Sequence, residues 1–350
     1  MRVPVVDLSR RAAAHSVAWP AAAARVVASG SILLGPETSA FEAEFAHWLG
    51  TEQVVTVSSG AAALQLALRA LGVGPGDEVI VPALTAVPTA AAVCATGATP
   101  VFADVDAAMA TIDPGAALAA HTGRTRAVVP VHLYGFPATL PEIPGVEVLI
   151  DAAQAHGAVA DHGAAAAVAY SFYPTKNLGG VGDGGAVATT DAALADRIRL
   201  LRTHALTADY VHTQISQNFR LSELEAAWLR MTLPDLAAGN ARRAAIAAQY
   251  REAAPELRWQ APHPAHVHHL AVARVPDRPT FRERLAGRGV ATGVHYARAL
   301  TQQPAYAEFV TAACPQAEAW AAECVSMPCF PELTDAEVEH VAAALKEMQP

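Results

Sequence analysis

The sequence has few of the features that mark several common protein classes. It contains only four cysteines, Cys94, Cys314, Cys324 and Cys329, and no CxxC pair. This spacing supports neither a zinc knuckle nor a redox motif, so we expect buried thiols in a reducing compartment. No apolar run reaches the roughly 18 residues of a membrane span, and residues 1–10 lack a signal-peptide core. These absences predict a cytoplasmic location and no membrane partner.

Positive charge is also scarce. Charged residues make up 16% of the chain, the formal net charge is −9 at pH 7, and no basic cluster is present. An acidic balance argues against nucleic acid as the main partner. The hydrophobic content of 53% excludes a disordered protein, and 350 residues are enough for one large core and a smaller second domain.

Short apolar runs alternate with helical patterns along the first two thirds of the chain. Continuous apolar runs of this length are typical of a parallel sheet covered on both faces. The alternation therefore predicts an α/β domain with a mainly parallel sheet. The predicted strands are 54–57, 78–81, 100–102, 127–131, 146–150 and 168–172, and the predicted helices here are 61–71, 191–202 and 222–233.

The pattern changes after Pro234, which ends the helix that begins at Ser222. Beyond it we predict helices at 242–251, 280–287 and 335–348 and a strand at 267–275. Thr334 and Glu337 have the spacing of a capping box. We predict a large domain over residues 1–235 and a smaller α+β domain over residues 236–350, with the N-terminal segment packing on the smaller one.

Two strands end in residues that carry chemistry. Asp151 directly follows the run 146–150, and Lys176 follows the run 168–172. Open α/β sheets place their sites at such strand ends. Pyridoxal phosphate (PLP) enzymes need this pair, because the lysine forms a Schiff base with the cofactor and the carboxylate keeps the pyridine nitrogen protonated.

A third element favours the same cofactor. The run 54–57 is followed by Ser59, Gly60 and Ala61, which open a helical pattern. The first N–H groups of a helix have no internal partner and lie at its positive end, so this turn suits the cofactor phosphate. The glycine-rich run 179–185 lacks the GK[ST] ending of a P-loop and opens no helix, so we do not expect nucleotide phosphate there.

Longer segments resemble the DegT/DnrJ/StrS family of PLP-dependent sugar aminotransferases. The matching segments are SSGAAALQLALRALGVGPGDEVIVPALT, ATPVFADVD, VPVHLYG, DAAQAHGA, SFYPTKNLGGVGDGGAVATTD, NFRLSE, GVHY and SMPCFPELT. They occur in this order over nearly the whole chain, which makes the resemblance specific. It implies the aspartate-aminotransferase fold (PLP fold type I) and a homodimer with active sites at the subunit interface.

The resemblance also implies residue roles. Lys176 corresponds to the Schiff-base lysine, Asp151 to the partner of the pyridine nitrogen, and Gln154 to a contact of the cofactor's phenolic oxygen. The expected phosphate contacts are Ser59, Gly60, Ala61, Ser171 and, from the second subunit, Asn218. The substrate candidates are His132, Tyr134, His295 and Tyr296.

The sequence departs from the family pattern at several positions. Ala86 stands where the family has an aromatic residue that stacks on the cofactor ring, and Ala61 replaces a threonine. The segments 135–151 and 157–171 are short, and Ala297 begins a run that replaces a proline-rich, histidine-containing one. The last three changes concern the substrate more than the cofactor.

The implied reaction moves an amino group from glutamate or glutamine to a keto sugar. Nucleotide-linked keto-deoxyhexoses are the commonest acceptors in the family, and the GDGGA run favours members that act on 3-keto sugars. Three alternatives stay open: a PLP-dependent sugar dehydratase, in which histidine would replace Lys176; an aminotransferase for a non-nucleotide cyclic ketone; and an inactive regulatory or scaffold relative. No metal is expected, since the histidines at 263–269 also match a family strand.

Overall fold

The computed structural model describes residues 1–158, 163 and 165–348. The α-helices are α1 (Leu8–Ala14), α2 (Ala18–Ser29), α3 (Pro36–Leu49), α4 (Gly60–Ala70), α5 (Val87–Ala95), α6 (Pro114–Ala119), α7 (Ala192–Arg202), α8 (Glu223–Thr232), α9 (Leu236–Ala253), α10 (Arg278–Gly287), α11 (Pro315–Glu323) and α12 (Asp335–Lys346). The strands are β1 (Gln53–Val57), β2 (Glu78–Pro82), β3 (Thr99–Ala103), β4 (Thr125–Val128), β5 (Glu147–Asp151), β6 (Ala167–Ser171), β7 (Gly185–Thr189), β8 (Arg258–Trp259), β9 (Ala271–Arg274) and β10 (Cys324–Met327). The short segment of 157–171 noted in the sequence lies partly outside the described residues.

The main sheet has seven strands in the order β1-β7-β6-β5-β4-β2-β3. Strands β2 to β6 pair in parallel, whereas β7 pairs antiparallel with both β6 and β1. Strands β2, β6 and β7 are buried along their whole length, which explains their continuous apolar runs. The predicted α/β architecture with a mainly parallel sheet is confirmed. Since β5 and β6 are parallel neighbours, Asp151 and the end of β6 at Ser171 meet at one edge of the sheet.

Several helix boundaries follow from capping. The Ser59 hydroxyl accepts a hydrogen bond from the Ala62 N–H at 3.1 Å and so starts α4. Ser222 caps α8 in the same way. Thr334 and Glu337 form the predicted capping box at the start of α12. Local side-chain chemistry therefore explains these starts.

Two predicted strands are shorter in the structure. The run 127–131 is regular strand only as far as Val128, because Pro130 has no N–H to donate. Beyond Val128 the run stays beside β5 through the Asp151 N–H, which donates to the Pro130 carbonyl at 2.9 Å, and a single bridge between Val131 and Asp151. The run 267–275 is strand only from Ala271, because the preceding segment pairs with a turn instead: the Leu270 N–H donates to the Tyr134 carbonyl at 3.2 Å. The sequence analysis missed β7, β8 and β10 altogether.

A second sheet, in the order β10-β9-β8, lies in the C-terminal part of the chain. Its apolar cluster includes α12 residues such as Val341 and also takes in Val3 from the N-terminus. Residues such as Trp320 pack instead with the cluster around the main sheet. The division at residues 235 and 236 remains a proposal. Among the described helices, none is both long enough and apolar enough to cross a bilayer.

Candidate active site

One cavity lies at the edge of the main sheet where β5 and β6 end. Its volume of about 530 Å³ is in the range typical of small-molecule sites. Its wall is formed by the start of α4, the loop before α5, the two strand ends and parts of the C-terminal region. Most residues singled out from the sequence line it: Ser59, Gly60, Ala61, Ala86, Asp151, Gln154, Ser171, Lys176, His295 and Tyr296.

Asp151 is a buried carboxylate held from two sides. Its Oδ1 accepts from the Ala153 N–H at 3.0 Å, and its Oδ2 accepts from the Thr89 hydroxyl at 2.8 Å. Because the Thr89 proton is used in that bond, Thr85, 3.0 Å away, donates to the Thr89 oxygen. Burial raises the pKa of Asp151, while the two hydrogen bonds and the nearby Lys176 act in the opposite direction.

Lys176 brings an amine into the same cavity. Its backbone N–H donates to the Tyr173 carbonyl at 2.8 Å, which closes the turn after β6 and places Lys176 beside the strand end. Burial lowers the pKa of the amine to about 8, and the Asp151 carboxylate opposes this shift. This lower pKa makes the unprotonated amine far more accessible than in an ordinary lysine, so Lys176 can act as a nucleophile and as a base.

The start of α4 offers an anion site at another part of the wall. The first N–H groups of the helix point out of it without an intrahelical acceptor. A Cβ added to Gly60 would lie 2.6 Å from the Cβ of Ser171, so only glycine lets the helix start approach β6 this closely. The hydroxyl of Ser171 therefore lies next to the N–H groups of α4, as a phosphate site requires.

Gln154 is held in one orientation. Its Oε1 accepts from the Tyr134 N–H at 2.6 Å, so its Nε2 faces the other way and donates to the Tyr296 hydroxyl at 3.1 Å. Burial raises the pKa of Tyr296 to about 12, so its hydroxyl keeps its proton. The Tyr134 hydroxyl donates to the backbone carbonyl of His295. Tyr134 thus fixes two residues of the wall without lining the cavity itself.

Two other residues from the sequence analysis lie away from the cavity surface. His132 is buried behind the wall, where its Nδ1 accepts from the Ala138 N–H at 2.9 Å. Asn218 is exposed, and its side-chain oxygen accepts from the Nε of Arg220 at 2.8 Å. The backbone N–H of His132 donates to the Asp151 carbonyl at 3.0 Å, so His132 lies directly beside a site residue although its ring does not line the cavity. The structure of the single chain does not bring Asn218 to the cavity.

The structure also adds residues that the sequence did not suggest. Thr85, Thr89, Thr175, Asp183 and His269 all line the cavity. Thr85 and Thr89 belong to the segment VPALTAVPT, residues 81–89, but nothing in its spacing indicated that Thr89 donates a hydrogen bond to a carboxylate on another strand. Within the described residues, no group of three or more histidine, cysteine or acidic side chains could hold a metal ion.

The donor set fits PLP. A helix start with a hydroxyl can hold the phosphate, a buried carboxylate can face the pyridine nitrogen, an amide N–H can reach the phenolic oxygen, and a lysine can reach the aldehyde. Ala86 lines the wall where the family has an aromatic residue, so no ring is supplied from that position.

Comparisons with known proteins agree with this geometry. Residues 18–346 match the model of the DegT/DnrJ/EryC1/StrS aminotransferase family. The chain is 43% identical to dTDP-3-amino-3,4,6-trideoxy-α-D-glucose transaminase of Streptomyces venezuelae, over 99% of this chain and 96% of that protein. It is 38% identical to UDP-N-acetyl-3-dehydro-α-D-glucosamine 3-aminotransferase of Acidithiobacillus ferrooxidans, over 98% of this chain and 97% of that protein.

Solved structures show the same similarity. The chain superposes on DesV of Streptomyces venezuelae, crystallised with a ketimine intermediate, with a TM-score of 0.93 and 42% identity over 99% of this chain and 98% of that one. It also matches NtdA of Bacillus subtilis with bound pyridoxamine phosphate, with a TM-score of 0.93 and 27% identity over 98% of this chain and 84% of that one. The chain belongs to the DegT/DnrJ/EryC1/StrS aminotransferase family, and it is a PLP-dependent aminotransferase.

Proposed function

We propose that this enzyme transfers the amino group of glutamate or glutamine to a nucleotide-linked 3-keto sugar. The observation that carries the proposal is the convergence of Lys176, Asp151 and the start of α4 on one cavity. The relative from Streptomyces is named for a dTDP-linked 3-amino sugar, and the relative from Acidithiobacillus is named for the amination of a UDP-linked 3-dehydro sugar at position 3. These names support a 3-keto acceptor, as does the GDGGA run that includes Asp183.

We propose that Lys176 holds the cofactor and moves protons. When bound, PLP supplies an aldehyde that condenses with amines and a ring that accepts electrons from the carbon being deprotonated. Lys176 lines the cavity, and burial lowers the pKa of its amine to about 8. It can therefore take up a proton and return it near neutral pH, as a general base and acid must.

Asp151 is proposed to pair with the pyridine nitrogen. Thr89 and the Ala153 N–H both donate to its carboxylate, which favours the ionised form against the cost of burial. A carboxylate that stays ionised in this position stabilises a protonated ring nitrogen. Thr89 is therefore proposed as a positioning residue for Asp151.

The substrate side of the cavity is proposed to be formed by the C-terminal region. The Tyr296 hydroxyl already accepts from Gln154, so its own proton is free to be donated to a ligand. The Nδ1 of His295 lies 2.8 Å from the Ser326 hydroxyl, which fixes the ring and leaves Nε2 for other contacts. We propose both residues as contacts of the acceptor sugar.

We propose a homodimer with composite sites, in which Asn218 reaches the phosphate held by the neighbouring chain. Two observations support the homodimer. The side chain of Asn218 is exposed, and apolar side chains in the preceding residues 210–215 are exposed as well: Tyr210 is 82% exposed and Ile215 is 95% exposed. Exposed apolar clusters are typical of interaction surfaces. A cytoplasmic location is proposed as well, and the four free cysteines support it.

A direct assay tests the proposal. The enzyme loaded with PLP is incubated with glutamate or glutamine and with a panel of nucleotide-linked 3-keto and 4-keto sugars, and the products are identified by mass. We expect an amino sugar from a 3-keto acceptor, and none with the Lys176→Ala protein. Product formed only from 4-keto sugars, or only from cyclic ketones without a nucleotide, would overturn the proposed acceptor.

A further inference from the structure

A chain of side-chain amides fixes the ring of His269. The Asn240 Nδ2 donates to the His156 carbonyl at 2.8 Å, so the Asn240 Oδ1 points the other way and accepts from the Asn177 Nδ2, also at 2.8 Å. The Asn177 Nδ2 donates as well to the Val267 carbonyl at 3.1 Å. Because a backbone carbonyl can only accept, the orientation of both amides is determined.

Asn177, the side-chain amide next to His269, determines the tautomer of the histidine. With its Nδ2 committed to two acceptors, Asn177 presents its Oδ1 to the His269 Nδ1, 3.1 Å away. An amide oxygen can only accept, so the His269 Nδ1 must carry a proton. The neutral ring then has an unprotonated Nε2, which is a hydrogen-bond acceptor.

The ring stays neutral in this place. Burial lowers the pKa of His269 well below its usual value, and the positive charges of Lys176 and Arg243 lower it further. Among the described residues, the His269 Nε2 has no hydrogen-bond partner. Unlike the fully buried polar atoms that lack a partner, it keeps some accessible surface. It therefore keeps an open face.

The side chain of His269 borders the active site. His269 lines the 530 Å³ cavity and also a side cavity of about 90 Å³. Thr175 and His295 are the other two residues shared by both cavities. The three polar side chains thus border the junction, whereas apolar residues such as Leu270 and Phe330 line much of the side cavity.

We propose that His269 is a specificity-determining residue whose Nε2 accepts a hydrogen bond from a hydroxyl group of the acceptor sugar. A neutral hydroxyl suits this acceptor better than an ammonium group, because Lys176 and Arg243 already make the surroundings positive. The inference rests on the proposed function, since only a sugar acceptor brings such hydroxyl groups to the cavity.

Two substitutions of His269 test the roles of its two ring nitrogens separately. His269→Asn places an amide N–H near the position of Nδ1 and keeps the bond to Asn177, but it removes the acceptor at Nε2. His269→Gln is long enough to place an amide oxygen near the position of Nε2. His268→Asn is the matched control, because His268 stacks on His266 and lines neither cavity.

The first readout is equilibrium binding by calorimetry, with dTDP-glucose and UDP-glucose as unreactive probes and the free nucleotides dTDP and UDP as references. Loss of one neutral hydrogen bond corresponds to about a three- to tenfold change in affinity. We expect His269→Asn to lower the affinity for the nucleotide sugar by this factor relative to the free nucleotide. His269→Gln should restore most of the loss, and His268→Asn should show none.

The second readout is the tautomer itself, from ¹⁵N NMR of histidine-labelled apoenzyme. We expect the signal that disappears in His269→Asn to show a protonated Nδ1 and an unprotonated Nε2. A protonated Nε2, or equal losses for nucleotide sugar and free nucleotide, would overturn the inference. If the wild-type enzyme binds neither nucleotide sugar more tightly than the free nucleotide, the proposed function fails instead.

Discussion

The hydrogen bond from Thr89 to Asp151 gives the sharpest prediction from the structure. Thr89→Val keeps the shape of the side chain but removes the hydroxyl that donates to the Asp151 Oδ2 at 2.8 Å. A hydrogen bond to a charged group is worth about 1.5–3 kcal/mol, and about 1.4 kcal/mol corresponds to one pKa unit. The pKa of Asp151, already raised by burial, should therefore rise by about one to two further units.

The sign of the effect on cofactor binding follows from this shift. Pairing with the pyridine nitrogen requires ionised Asp151, so the affinity for PLP falls as the pH drops through the pKa of this carboxyl. In Thr89→Val the fall should begin about one to two pH units higher than in the wild type, while affinities at pH 8 stay closer together. Titration of the apoenzyme with PLP at a series of pH values, followed by absorbance, measures this.

Thr85→Val is the matched control for this experiment. It removes a hydroxyl 3.0 Å from the Thr89 oxygen but leaves the bond between Thr89 and Asp151 in place. Its pH profile should lie close to that of the wild type, which corrects for titration of the cofactor phosphate and of Lys176. Overlapping profiles for Thr89→Val and the wild type would refute the role given to Thr89.

Three further predictions follow from the same site. Asp151→Asn should still bind PLP but lose several orders of magnitude in turnover, since a neutral amide does not hold the ring nitrogen protonated; turnover within tenfold of wild type in a steady-state assay would contradict the role. Ala86→Phe should tighten PLP binding by up to about 1 kcal/mol if the ring face beside Ala86 is open, and weaker binding in the same titration would show that another group occupies it. Mixing inactive Lys176→Ala and Asn218→Asp homodimers under exchange should restore up to half the wild-type activity per heterodimer, because one of the two sites is then intact. Exchange shown by mass without recovered activity would exclude the composite site.

The sequence predicted the parts of the site that depend on the ends of local elements. Asp151 and Lys176 follow apolar runs, and parallel pairing of β5 and β6 brings those ends together. Gly60 marks the start of α4 because Ser59 caps the helix there. Each of these positions can be inferred from a few neighbouring residues and the rules of strand and helix termination.

The sequence could not predict contacts that depend on the exact packing of distant segments. Thr89 reaches Asp151 from α5, and nothing in the spacing of the two residues sets that distance. The sequence analysis grouped His269 with the other histidines of 263–269, yet among them only His269 lines the cavity. Its ring is held there by a hydrogen bond to Asn177, which the sequence did not indicate. Tyr134 was expected at the substrate, whereas its backbone N–H orients Gln154 from behind the wall.

The difference between the predicted strand 267–275 and the shorter β9 has a similar cause. The run 267–275 is apolar enough for a strand throughout, but its first part bonds to the turn at Tyr134 and Gly135. This pairing depends on a turn more than a hundred residues earlier in the chain. Periodicity within a segment carries no information about such a partner.

Covalent labelling of the cofactor-bearing lysine tests the central claim most directly. The sequence contains two lysines, Lys176 in the cavity and the exposed Lys346 near the end of α12. Borohydride reduction of the enzyme loaded with PLP, followed by digestion and mass spectrometry, should place the cofactor mass on the peptide that contains Lys176 and leave the peptide with Lys346 unlabelled. Stoichiometric label on Lys346 or on the N-terminal amine, with Lys176 unmodified, would contradict the account.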